Sequence, residues 1–199
     1  MKKILYAIFL LGTVLTCIAD TLEAEALKSA VCAACHGPQG VSSNPQWPNL
    51  AGQHASYLIK QMHDFKKGTT RNAATMAAVL TDLSDQDIVE LANYYSNQSI
   101  AEGETPEKFL KRGELLYRGG DFSKHITACI ACHGPKGTGN AQAGFPVLTG
   151  QHAEYTIQQL QAFKDRKRTN DLNSIMRDIS ERMSKEDMEA VAYYIQGLH

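Results

Sequence analysis

The sequence has no surplus of positive charge: among its 199 residues, 20 Lys and Arg stand against 21 Asp and Glu. That balance argues against nucleic acid as a partner. No segment shows the strict alternation of apolar and polar residues that marks a half-buried strand, so a sheet-based fold has no support. The apolar run at 4–19 falls short of the roughly 20 residues that a membrane span needs. Cysteine is absent except at five positions, and four of these fall in two tight pairs. Large apolar residues are scarce for a chain that must fill more than one core.

The first residues, MKKILYAIFLLGTVLTCIAD, place Lys2 and Lys3 before an apolar run broken only by Gly12 and two Thr. This is the charged region and apolar region of an export signal, with cleavage expected after Ala19, or after Ala26 as a second site. An uncleaved anchor, or lipid on Cys17, is an alternative. Val-Leu-Thr before Cys17 makes a poor lipidation signal. Without residues 1–19 the chain has 18 basic and 21 acidic side chains, and the deficit lies in residues 20–100.

The chain repeats itself. WPNLAGQHASYLIKQMHDFKKG (47–68) matches FPVLTGQHAEYTIQQLQAFKDR (145–166), and LSDQDIVELANYYSNQ (83–98) matches MSKEDMEAVAYYIQGL (183–198). Two domains are expected, 20–100 and 101–199, joined through the polar segment 99–105. Ser84-x-x-Asp87 and Ser184-x-x-Asp187 resemble capping boxes. Ile88, Leu91, Ala92 and Tyr95 follow them at helical spacing, as do Met188, Val191, Ala192 and Ile195. Further helices are expected over 22–31, 53–66, 106–117 and 151–164, with Gly- and Pro-rich loops after each cysteine pair. The fold class is all-α.

CAACHGPQG begins at Cys32 and CIACHGPKG at Cys129. A disulfide scaffold is the ordinary reading of four cysteines in an exported chain. Here His follows each pair at once. A zinc site needs four ligands and each motif offers three, while a thioredoxin-like pair needs a βαβ setting. Cys-x-x-Cys-His on one helical turn instead brings two sulfurs and an imidazole to one side, the arrangement for covalent haem c. Cys32, Cys35, Cys129 and Cys132 are the candidate thioether residues, and His36 and His133 the iron ligands. Two haems would also supply the apolar bulk that small domains lack.

A second axial ligand should recur in both repeats. Met62, Met183 and Met188 have non-Met partners; Met76 and Met176 match. His54 and His152, both in Gly-Gln-His-Ala, pass the same test and leave a bis-His alternative. The carbonyls of Pro48 and Pro146 are placed to accept the imidazole N–H, a bond that orients metal-bound histidine. Tyr57 and Tyr155, Phe65 and Phe163, and Tyr94 and Tyr194 read as haem-pocket or core packing, with the haem carboxylates a second role for the tyrosines. KDRKR (164–168) reads as a solvated face or docking patch.

With Cys-x-x-Cys-His-Gly, Pro-x-Leu-x-Gly-Gln and a downstream Met in each half, the chain resembles the dihaem cytochrome c4 proteins over essentially its whole mature length. The ending Tyr-Ile-Gln-Gly-Leu-His is similar too, while the segment before Cys32 is shorter. The resemblance implies two tandem class I cytochrome c domains, each wrapped around one covalent haem c. It implies His36 and Met76, and His133 and Met176, as axial pairs. It also implies a periplasmic electron carrier, soluble or loosely membrane-associated, between a quinol-oxidising complex and a haem–copper terminal oxidase.

Methionine–histidine ligation raises the reduction potential relative to bis-His and leaves no open coordination position. Outer-sphere electron transfer is therefore expected, and no enzyme activity. The alternative is a dihaem subunit of a dehydrogenase, for example a sulfide-oxidising flavocytochrome. A dihaem peroxidase or a gas sensor would need an open or displaceable ligand.

Overall fold

The computed structural model describes residues 29–199, so the signal-like segment 1–19 and the expected start of the first helix lie outside the described residues. The first half contains α1, described over 29–36, then α2 (Ala55–Lys67), α3 (Ala74–Leu80) and α4 (Asp85–Ser96). The second contains α5 (Glu107–Gly119), α6 (Ile130–His133), α7 (Ala153–Lys164), α8 (Ile175–Glu181) and α9 (Lys185–Gln196). Among the described residues there is no strand, only three isolated bridges. The all-α reading holds.

Both predicted capping boxes form. Ser84 Oγ accepts the Asp87 N–H at the start of α4, and Ser184 Oγ the Asp187 N–H at the start of α9. Each satisfies a backbone donor that a helix end leaves unpaired. The helices expected from residues 53 and 151 begin two residues later, after His54 and His152. Pro106 stands just before α5, and its fixed φ suits a helix entry. The helices α3 and α8 are not evident in the sequence. Seven residues each give too few turns for an apolar period to register.

Each half packs its helices on its own core. In the first, α2 lies on α3 and α4 around Leu58, Leu91, Ala92 and Tyr95. In the second, α7 lies on α8 and α9, and α5 crosses α9. That crossing is close at Gly113, where a Cβ would stand 2.4 Å from Ala190 O. The second core holds Leu116, Tyr117, Leu160, Met188, Val191 and Ile195 among others.

The halves join through reciprocal side-chain bonds. The buried Gln53 amide donates to Val147 O and accepts the Val147 N–H, both at 2.9 Å. Gln151 does the same to Asn49, with both bonds at 2.9 Å. Asn49 Nδ2 also donates to Gly150 O. Segment 99–105 is irregular, as expected, and lies against the end of α9 through Thr105 and Glu104.

Asp187 does more than cap α9. Its buried carboxylate accepts from Arg112 on α5 and, at 2.7 Å, from Lys124 in the turn after α5. Burial works against this charge, but the Lys124 and Arg112 bonds outweigh it and hold the carboxyl well below the usual range. A depressed folded-state pKa contributes stability that is complete above the unfolded value, about 3.9, and is lost as pH falls through the folded value. We expect Asp187→Asn to cost roughly 1.5–3 kcal/mol at pH 7. The gap from the unsubstituted protein should begin to narrow below about pH 4 and go on narrowing as pH falls towards the folded-state value. Denaturant unfolding of the holoprotein at several pH values checks this, and a gap independent of pH would contradict it.

Candidate haem sites

The two Cys-x-x-Cys-His segments adopt the same turn. Gly37 N–H donates to Ala33 O at 2.9 Å, and Gly134 N–H to Ile130 O at 3.0 Å. None of the four cysteines is bonded to another, so neither pair forms the disulfide of a scaffold. Burial pushes the Cys129 thiol up to about 12 and raises Cys32. No three His, Cys, Asp or Glu side chains among the described residues converge as a metal-ion site.

His36 and His133 are each 7% exposed. Burial lowers both imidazole pKa values, with the proline carbonyls opposing it. The neutral form that coordinates a metal is therefore the one present at pH 7. Nδ1 of His36 lies 2.9 Å from Pro48 O, and Nδ1 of His133 lies 3.0 Å from Pro146 O. A carbonyl only accepts, so Nδ1 carries the proton and Nε2 keeps its lone pair for a metal. These are the two bonds expected from the sequence.

A glycine hook places those prolines. Gly40 O accepts from Leu50 and Ala51 N–H at 2.7 and 3.1 Å, and Gly137 O from Leu148 and Thr149 N–H at 2.7 and 3.2 Å. Each hook folds the loop after the motif back onto the Pro-x-Leu-x-Gly stretch. Gly137 has φ +69°, and a Cβ there would stand 3.1 Å from Thr149 N.

Met76 is half-buried on α3, and Met176 lies near the start of α8. Met176 borders the second core together with Cys129, Ile130, Leu148 and Ile179. Cys32, Leu50, Ile59, Met62 and Leu83 border the first, a set that does not include Met76. In each half these partly exposed apolar side chains rim the cysteine motif, the surface a flat apolar group would cover. His152 Nε2 lies 2.9 Å from Ser42 O in the other half, while His54 Nε2 is buried with no hydrogen bond.

One expectation is corrected. KDRKR is not a uniform solvated face, because Arg168 is 6% exposed and sits between the halves beside Arg71, also 6% exposed. Arg168 donates to Tyr57 Oη at 2.8 Å and Arg71 to Tyr155 Oη at 2.6 Å. Gln61 Oε1 and Gln159 Oε1 each accept from both guanidiniums. Arg71 stacks on Phe65 and Arg168 on Phe163, at 4.2 and 4.5 Å. Among the described residues neither cation has an ion pair. Burial lowers the Arg71 pKa, and the neighbouring Arg168 charge acts in the same direction. Two adjacent buried cations without an anion are costly, and a haem carries carboxylates. The neutral imidazoles, unpaired cysteines, apolar rims and adjacent buried cations all fit haem c.

The cytochrome c family model matches residues 23–99 and 113–199. Cytochrome c4 of Pseudomonas aeruginosa is 45% identical over 202 positions, covering all of both chains. The chain belongs to the cytochrome c4 family. The crystal structure of reduced recombinant cytochrome c4 from Pseudomonas stutzeri matches with a TM-score of 0.85 at 45% identity, covering 89% of this chain and 98% of that one. The thiosulfate dehydrogenase electron acceptor of Thiomonas intermedia is 35% identical over 200 residues, 98% of this chain and 90% of that protein. The cytochrome carries two covalent haem c groups and is an electron carrier, not an enzyme.

Replacing Gly137 with Ala forces a side chain into the left-handed region beside Thr149. The cost should be about 1–2 kcal/mol, read as a lower denaturant midpoint for the holoprotein. An unchanged midpoint would show that the hook tolerates a side chain.

Proposed function

We propose that this cytochrome is a periplasmic one-electron carrier that delivers electrons towards a haem–copper terminal oxidase, with a quinol-oxidising complex as donor. The observation that carries the reading is the matched pair of ligand sets, one in each half. His36 and His133 would ligate iron through Nε2, with Nδ1 held by the proline carbonyls. Met76 on α3 and Met176 on α8, each seven residues before the matched Leu83 and Met183, would supply the second ligand. Cys32 and Cys35, and Cys129 and Cys132, would hold the haems through thioether bonds. Haem c supplies one reversible electron per iron.

The protein's own groups set the terms of that exchange. Thioether sulfur opposite imidazole favours the reduced state and gives a high potential. With His36 and Met76, and His133 and Met176, as its ligands, each iron would have no open position for oxygen or a substrate. The buried Arg71 and Arg168 would neutralise haem carboxylates that otherwise meet a low-dielectric interface. His152 is bonded to Ser42 O, which weighs against it as an iron ligand. Among the described residues no helix is long and apolar enough to cross a membrane. Domain limits at 20–100 and 101–199, and export by residues 1–19, belong to the same proposal.

A second reading has one observation in its favour, the likeness to the thiosulfate dehydrogenase electron acceptor. Here the donor would be a sulfur-oxidising dehydrogenase. Rapid reduction by such an enzyme and none by a quinol-oxidising complex would select it.

A spectroscopic redox titration of the holoprotein should give two one-electron steps at high positive potential. Met76→Ala should lower one step more than tenfold in its equilibrium constant, above 59 mV for one electron, and Met176→Ala the other. If either substitution left both steps in place, that methionine would not be the ligand.

A further inference from the structure

The peptide group that holds each proposed axial histidine is itself held by the opposite half. His133 Nδ1–H donates to the carbonyl of Pro146, at 3.0 Å. The N–H of that same peptide unit belongs to Val147, and it donates to Gln53 Oε1, at 2.9 Å. The mirror chain runs from His36 Nδ1–H to Pro48 O at 2.9 Å. It continues from the Asn49 N–H to Gln151 Oε1 at 2.9 Å. Backbone N–H groups only donate, so the amide orientation is fixed in both glutamines. Both amides are further pinned. Gln53 Nε2 donates to Val147 O and Gln151 Nε2 to Asn49 O, each at 2.9 Å. Gln53 Oε1 and Gln151 Oε1 also accept the N–H of the following histidine, each at 3.0 Å.

We propose that Gln53 and Gln151 are positioning residues acting in trans: each tunes the iron-bound histidine of the other half through one polarised peptide group. The inference rests on His36 and His133 being iron ligands. An amide that donates its N–H becomes a stronger acceptor at its carbonyl, because hydrogen bonds in a chain polarise one another. A stronger acceptor draws the Nδ1 proton and makes the imidazole a more basic ligand. A more basic ligand favours the oxidised iron and lowers the potential. Each haem therefore senses whether the opposite half is docked, and undocking should raise both potentials.

The test is a crossover. In the holoprotein, Gln53→Leu removes the acceptor for Val147 and should raise the potential of the second haem. The expected shift is about threefold in its reduction equilibrium, on the scale of one bond's cooperative strengthening. The first haem should move much less. Gln151→Leu should do the reverse. Gln53→Glu keeps an acceptor and strengthens it, so it should move the second haem in the opposite direction from Leu. Each step is assigned by following the NMR signals of its own axial residues through the titration. The His133 Nδ1 proton resonance in the reduced state should shift with Gln53→Leu and stay with Gln151→Leu. If each substitution moved the haem of its own half, or both haems equally, or neither in a folded holoprotein, the relay would be overturned. Failure of the unsubstituted protein to give two one-electron steps would instead overturn the carrier reading.

Discussion

The structure depends on backbone polar groups that neither half can satisfy alone. The N–H and C=O of Val147 and of Asn49 are buried at the junction, and docking the halves without partners for them would leave them unpaired. An unpaired buried amide costs about as much as a lost hydrogen bond, on the order of 1–3 kcal/mol. Glutamine from the other half meets both groups with one side chain, because its amide presents a donor and an acceptor side by side. The reciprocity of Gln53 with Val147 and Gln151 with Asn49 makes the junction self-complementary, like an isologous dimer folded into one chain. The same constraint reaches the haem sites. Val147 and Asn49 follow the prolines whose carbonyls hold His133 and His36, so docking and ligand orientation share two peptide groups.

Charge at the junction follows a second logic. Arg71 and Arg168 are buried side by side, their hydrogen bonds running to Tyr, Gln and Asn rather than to acids. Like charges this close repel, and in a protein interior they repel strongly. Phe65 and Phe163 offset part of that through their ring faces. The remainder calls for anions, and haem carboxylates are anions that this chain acquires with its cofactors. The cores tell the same story. Partly exposed apolar side chains rim both, a surface that a haem in each half would cover.

Much of this was legible in the sequence, because much of it is local. The haem motif, the capping boxes at Ser84 and Ser184 and the helix periodicity each span a few residues. The proline carbonyls were legible because the repeat fixes their distance from His36 and His133. What escaped is pairwise and distant. Arg71 and Arg168 face each other, but the segment before them aligns at an offset of 98 and the segment after them at 100, while the arginines stand 97 apart, and that slip hides their equivalence. Arg168 also sits in a basic run that looks solvated. A search for matched arginines allowing one gap would have found the pair. The helices α3 and α8 were missed because seven residues give no reliable period, although the matched Met76 and Met176 already marked the place.

The halves are related but not equal, and the difference has a structural cause. The second half inserts a turn, Phe122–Lys124, between α5 and its cysteine motif. That turn brings Lys124 to Asp187, which also binds Arg112 and caps α9. The homologous Asp87 is half-buried and caps α4. The second half thus gains a charged lock across its crossing helices. A fold that exchanges one electron per iron benefits from rigidity on both sides, because any rearrangement on reduction adds to the barrier. The second half secures rigidity with its own salt bridges. The reciprocal bonds of Gln53 and Gln151 add rigidity at the junction to both halves alike.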